Sequence, residues 1–287
     1  MKTVWMLLLA VLSACSAIGG KVDGPYQVAA ADRATWKSVE GAVAQIDATF
    51  EAHRKPEIAA DAATGGRAVE DAMERAGAAI QRERLEFDEA DELQRQLRAL
   101  RKAAGASLTR RMGDTATFTL SQQDIAALGA SGKTIEDSTR GLEGRLQAFL
   151  DEHERKVTRN VKVAVRVALE TNKFLGGKDP GLDRTVVALL ELLDATLAKA
   201  IETRSISVDT FDASRMSKTL ATQLGRDWKA EYELVVQGVL VALANEIPDE
   251  GRLEGKNLLL ATYVNRGVTE VLTELRPGGT PTAAKNP

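Results

Sequence analysis

Asp179-Pro-Gly-Leu-Asp-Arg-Thr-Val-Val-Ala-Leu-Leu-Glu-Leu-Leu-Asp-Ala-Thr-Leu-Ala-Lys-Ala-Ile201 sets the reading of the chain. Leu182, Val186, Leu189, Leu190, Leu193, Leu197 and Ile201 recur three and four residues apart. That spacing places them on one face of a helix, with charged side chains on the other. Asp179 followed by Pro180 marks the start, because proline at a first helical position forfeits no hydrogen bond. The face holds branched aliphatics and no ring.

The pattern continues toward the C-terminus. Asp212 opens a further helix that reads through Trp228 and Tyr232 to Ile247, where Pro248 stops it. Within it Leu234 to Ala244 is almost wholly apolar, yet its eleven residues fall short of the roughly 20 a bilayer needs, so it reads as a buried core helix. A last helix covers about Asp249 to Leu275, and residues 276–287 read as a disordered tail.

Toward the N-terminus, Thr134 to Thr171 reads as a long helix closed by Gly176-Gly177. Val161, Val163, Val165, Val167 and Leu169 alternate as a strand would, but Val157, Val161, Ala164, Val165 and Ala168 share a helical face. No Gly or Pro interrupts them, so helix is preferred. Arg67 to about Ala104 is another long helical stretch, with Val69, Met73, Ala76, Ile80, Phe87, Ala90 and Leu97 on its seam. Its charged run Gln81 to Glu92 reads as a solvated face. A first helix, capped by Asp32, runs to about His53 with Trp36, Val39, Val43, Ile46 and Phe50 inward; Pro56 and Gly65-Gly66 follow it. Thr115 to Leu120 and Ser205 to Phe211 are rich in β-branched residues and could pair as short strands. The expectation is a mainly α protein, a helical bundle of about five to seven helices, two of them long, with at most a minor short-strand pair. Residues 31–275 form the body, and any subdivision would fall near 105–133. Aromatics at 4% against 44 alanines suit close helix packing better than a sheet core.

A formal net charge of −3 argues against a nucleic-acid binder, which needs a basic face. No polybasic cluster stands ready for anionic lipid. The single cysteine, Cys15, excludes an intrachain disulfide.

The first residues read M-K-T-V-W-M-L-L-L-A-V-L-S-A-C. Lys2 precedes an apolar stretch from Val4 to Leu12, then small residues, which is the build of an export signal. Its nine apolar residues cover about 14 Å of helix, less than half a bilayer core. Leu12-Ser13-Ala14-Cys15 resembles the lipobox of bacterial lipoproteins at every position. The resemblance implies a signal peptide 1–14 and a diacylglyceryl thioether on Cys15. It also implies acylation of the freed amine, a palmitate-type anchor, and membrane attachment through lipid. Ser16 stands where aspartate marks inner-membrane retention, so in a Gram-negative source the resemblance implies the outer membrane, facing the periplasm. Residues 15–30 then form the lipidated cysteine and a flexible tether rich in Gly and Pro.

Few residues could carry chemistry. Ala127 to Thr134, A-L-G-A-S-G-K-T, matches a loose phosphate-loop pattern in which Gly132, Lys133 and Thr134 would hold phosphate and magnesium. The bland reading is a loop at Gly129 and Gly132 with Thr134 as N-cap, and it is favoured because a short polar helix, not a buried strand, precedes the match. His53 and His153 read as solvated helix positions, and no Cys/His zinc set exists, so neither metal nor cofactor is expected. Trp228, Tyr232 and Tyr263 could line a pocket, although such rings more often anchor a core. Two readings follow. One is a non-enzymatic envelope lipoprotein that binds an unidentified protein partner or acts as a scaffold. The other is a ligand-binding lipoprotein with a pocket between the C-terminal helices.

Overall fold

The computed structural model describes residues 24–58, 67–174, 180–244, 246–248 and 250–276. The expected signal peptide, Cys15, most of the expected tether and the expected tail after Arg276 lie outside these residues, as do Gly65-Gly66, Gly176-Gly177 and Asp179. Among the described residues are eight α-helices and two short antiparallel strand pairs. The chain divides into two compact units, Gly24–Asp151 and one from Glu152 onward. That division falls at 151/152, inside a helix.

The first unit contains β1 (Tyr26–Gln27), α1 (Ala30–Ala52), α2 (Arg67–Ile80), β2 (Arg84–Leu85), α3 (Phe87–Gly113) and the first part of α4 (Gln122–Phe174). Asp32 is not the cap of α1. It sits one turn in, buried, and its Oδ2 accepts the N–H of Ala29 at 2.8 Å. The stretch from Arg67 to Ala104 is not one helix. Arg84 and Leu85 leave it to pair with Tyr26 and Gln27, and α3 restarts where Glu86 donates its N–H to Glu89 Oε2 at 2.9 Å. The charged run at 81–92 is therefore no simple solvated face, since Leu85 and Phe87 are buried within it. Trp36, Phe50, Ile80, Leu85, Leu97, Leu100, Leu128 and Ile135 are core residues of this unit.

Thr115 to Leu120 forms no strand with residues 205–211. It follows residues 53–55 through one bridge, Arg54 to Phe118, with Lys55 N–H donated to Thr117 O at 3.0 Å. The ring of Phe118 is held by Phe50, centroids 4.9 Å apart.

Helix α4 corrects two expectations. It begins at Gln122, so Gly129 and Gly132 are helical and Thr134 caps nothing; its hydroxyl donates back to Ala130 O at 3.1 Å. The reason is a continuous buried seam, Leu128, Ile135, Leu142, Leu146, Leu150, that tolerates two glycines on the way. The valine-rich stretch is helix too, with Val157, Val161, Ala164 and Val165 buried as the helical face requires.

The second unit holds the remainder of α4, then α5 (Pro180–Thr203), β3 (Ser205–Ile206), α6 (Ala213–Leu224), α7 (Tyr232–Leu243), β4 (Gly251–Arg252) and α8 (Gly255–Leu275). The Leu182 to Leu197 stripe of α5 is buried as its spacing dictates, and α5 packs chiefly on α8. Asp212 does cap a helix, accepting Arg215 N–H at 2.7 Å, but that helix ends at Gly225, whose φ of 54° suits glycine. The single helix expected from Asp212 to Ile247 is thus two. Residues 205–206 pair with 251–252, so Val208–Phe211 becomes a 3₁₀ turn and α8 starts six residues later than expected from Asp249. These breaks raise the helix number above the expected five to seven.

Helices α8 and α4 cross closely at Gly267. A Cβ there would lie 3.1 Å from Val161 Cβ and 3.3 Å from the backbone Cα of Thr158, neither of which can swing aside. A Cβ at Gly129 would meet nothing within 4 Å. Gly267→Ala should destabilise by about 1–2 kcal/mol through overpacking. Gly129→Ala should stabilise by up to about 1 kcal/mol through helix propensity. Chemical denaturation of the two variants checks both signs, and a loop at 129 would reverse the second.

Candidate functional site

Cys15 lies outside the described residues. Gly132, Lys133 and Thr134 occupy the interior of α4. Their amides are spent on helix hydrogen bonds and cannot converge on a phosphate. Gly132 has a packing reason instead, since a Cβ there would lie 2.7 Å from Leu108 Cδ2 on α3.

Trp228 precedes α7, and its ring meets Tyr232 edge to face at 5.8 Å between centroids. Tyr232 and Tyr263 are buried, at 3% and 6% exposure, so these rings are core anchors of the second unit. The exposed feature of α7 is different. Leu234 and Val241, two turns apart, are 48% and 47% exposed, with the open Gly238 between them. That is an apolar stripe on a helix whose opposite side, Val236, Val239 and Leu243, is core.

The histidines differ from expectation in one case. His53 stays at the surface end of α1, its Nε2 3.2 Å from Asp124 Oδ1. His153 is buried, because it falls on the α4 seam between Leu150 and Val157. Among the described residues no group of three or more His, Cys, Asp or Glu could hold a metal ion.

A small recess in the first unit is lined mostly by aliphatics such as Val43, Ile46 and Leu108. Asp47, Glu70, Ser107 and Arg111 also border it, and its volume is about 20 Å³. That admits about one water, far below the ~300 Å³ at which small-molecule sites begin. Arg111 is already committed. Its guanidinium lies 4.0 Å from the Phe50 centroid and donates to Asp47 Oδ1 at 2.7 Å.

A tighter polar centre lies where the described chain begins. Asp32 accepts from Tyr26 Oη at 2.9 Å and from Arg145 Nε at 2.6 Å, beside its bond to Ala29. Burial, then the Asp32 carboxylate, push the Tyr26 hydroxyl up to about 12, so it stays a donor at any physiological pH. The ring of Tyr26 packs edge to face on Phe149 at 5.4 Å. These bonds hold residues 26–29 against α1 and α4.

No family model, curated protein or solved structure matches the chain. The functional reading therefore rests on its own residues.

Glu246 is the buried acid of the second unit. Asn160 Nδ2 donates to it at 2.8 Å, and burial raises its pKa above the ordinary carboxylate range despite that bond. A raised folded pKa stabilises fully below the unfolded value near 4.3, and the benefit is lost as pH climbs through the folded value. Glu246→Gln keeps the acceptor for Asn160 and removes the charge. Thermal unfolding should show the variant more stable than wild type at pH 8, with the gap narrowing toward pH 5. A gap independent of pH would contradict the burial argument.

Proposed function

We propose that this chain is a lipid-anchored helical protein of the bacterial envelope whose body binds another protein and performs no catalysis. The observation that carries the reading is Leu12-Ser13-Ala14-Cys15 placed directly after the apolar stretch Val4 to Leu12. Cys15 would carry the lipid, two or three acyl chains that make attachment lasting. In a Gram-negative source the body would face the periplasm from the outer membrane. We place the partner contact at Leu234 and Val241, the two large aliphatics that α7 exposes on one face. No helix among the described residues is long and apolar enough to cross a membrane.

Mass spectrometry of the membrane fraction tests the anchor. The expected N-terminal peptide begins at Cys15 with acyl mass, and Cys15→Ala should leave the membrane. An unmodified thiol, or a variant that stays equally membrane-bound, would sink the reading. The partner role has its own test. Crosslinking in intact envelopes should capture a protein with wild type and lose it with Leu234→Asp/Val241→Asp, positions exposed enough to spare the fold. Equal capture by both would place the binding surface elsewhere.

A further inference from the structure

The end of the first unit from which the tether departs is built rigidly. Tyr26 and Gln27 pair with Leu85 and Arg84, and Val28 N–H donates to Glu83 O at 3.0 Å. Tyr26, Ala29 and Arg145 all bond the buried Asp32. The chain therefore leaves this unit at a fixed place, beside the loop of residues 81–86.

Charged side chains of both signs gather at that place, Arg33, Arg82 and Arg84 with Glu83, Glu86 and Glu89. Arg33 donates to Arg82 O at 3.0 Å, so its guanidinium lies against the loop. Arg82 itself is neutralised by Glu89. Arg33 and Arg84 make no ion pair with any described residue, and Arg84 is exposed. Glu83 and Glu86 share the loop, so this is no basic patch able to draw the protein out of solution. It need not be one if the lipid does that.

The length of chain before the clamp adds a constraint. Gly24 stands nine residues after Cys15, which span about 30 Å at full extension. With Cys15 in a bilayer, a clamp this close restricts which end of the unit can meet the surface.

We propose that the 81–86 loop faces the lipid headgroups, with Arg33 and Arg84 donating to phospholipid phosphate and so setting the orientation of the first unit. This rests on the lipoprotein reading above. Guanidinium suits the role because its planar donors match phosphate oxygens.

Because Cys15 is the only cysteine and would be acylated, a second one can be labelled selectively. The lipidated protein carries a fluorophore at Glu83→Cys or at Thr115→Cys. The latter lies beyond the far end of α3, a helix of 27 residues and thus about 40 Å away. Each is reconstituted into phosphatidylglycerol and phosphatidylethanolamine vesicles with a nitroxide on a headgroup. Quenching at 83 should exceed that at 115 several-fold, and Arg33→Glu/Arg84→Glu should shrink the difference at least twofold. Equal quenching at the two sites, or a difference untouched by the charge reversal, overturns the orientation while leaving the anchor intact. Failure of the wild-type protein to float with vesicles overturns the anchor, and the orientation with it.

Discussion

Everything in this structure depends on helices coming close enough to satisfy one another with aliphatic side chains. The chain is 4% aromatic, so few rings can span a wide gap between backbones. Its buried residues are chiefly Leu, Val, Ile and Ala. Dispersion falls off within a fraction of an ångström, so such a core holds only if the helices touch. The glycines at crossings show how that is achieved. Gly267 admits Val161 and Thr158, and Gly132 admits Leu108. Where rings do occur they serve as local anchors, as Trp36 does at the α1–α2 contact against Gly77.

The same constraint explains which parts of the fold could be read in advance. A repeated aliphatic seam states both that a helix exists and which face it buries, and α5 is the plainest case. Helix ends were harder because some are set from far away. Arg84 and Leu85 leave the helical pattern to meet Tyr26 and Gln27, nearly sixty residues earlier, with no Gly or Pro to announce it. The local sign was there in Glu86 and Glu89, which were hidden among other charges. Ser205-Ile206 found its partner at Gly251-Arg252, a stretch with no strand character of its own. Conversely, Gly129 and Gly132 looked like a loop and are helix. The open Gly129 costs about 1 kcal/mol, less than the burial of Leu128 and Ile135 returns.

A site is easiest to read where its chemistry is written in a few consecutive residues. The lipobox proposed at Leu12-Ser13-Ala14-Cys15 would be of that kind, since an enzyme would read it as an extended peptide before the protein folds. The phosphate-loop match was not, because its meaning depends on a strand ahead of it, and residues 122–134 are helical. Trp228, Tyr232 and Tyr263 could have faced a cavity or a core, and only packing decides between those. The exposed pair Leu234 and Val241 escaped notice for the opposite reason. In a segment this apolar every residue looked like core, yet a helix that packs by one side leaves the other in water.

The central physical claim is that a single helix, kept whole by its aliphatic seam, passes through the glycine-containing segment 127–134. Backbone carbon shifts and amide exchange across residues 122–140 of the purified protein test it most directly. Helical Cα shifts throughout, with slow exchange from Leu128 to Ile135, are predicted. Coil shifts and fast exchange at Gly129 to Lys133, between two separate helices, would contradict it.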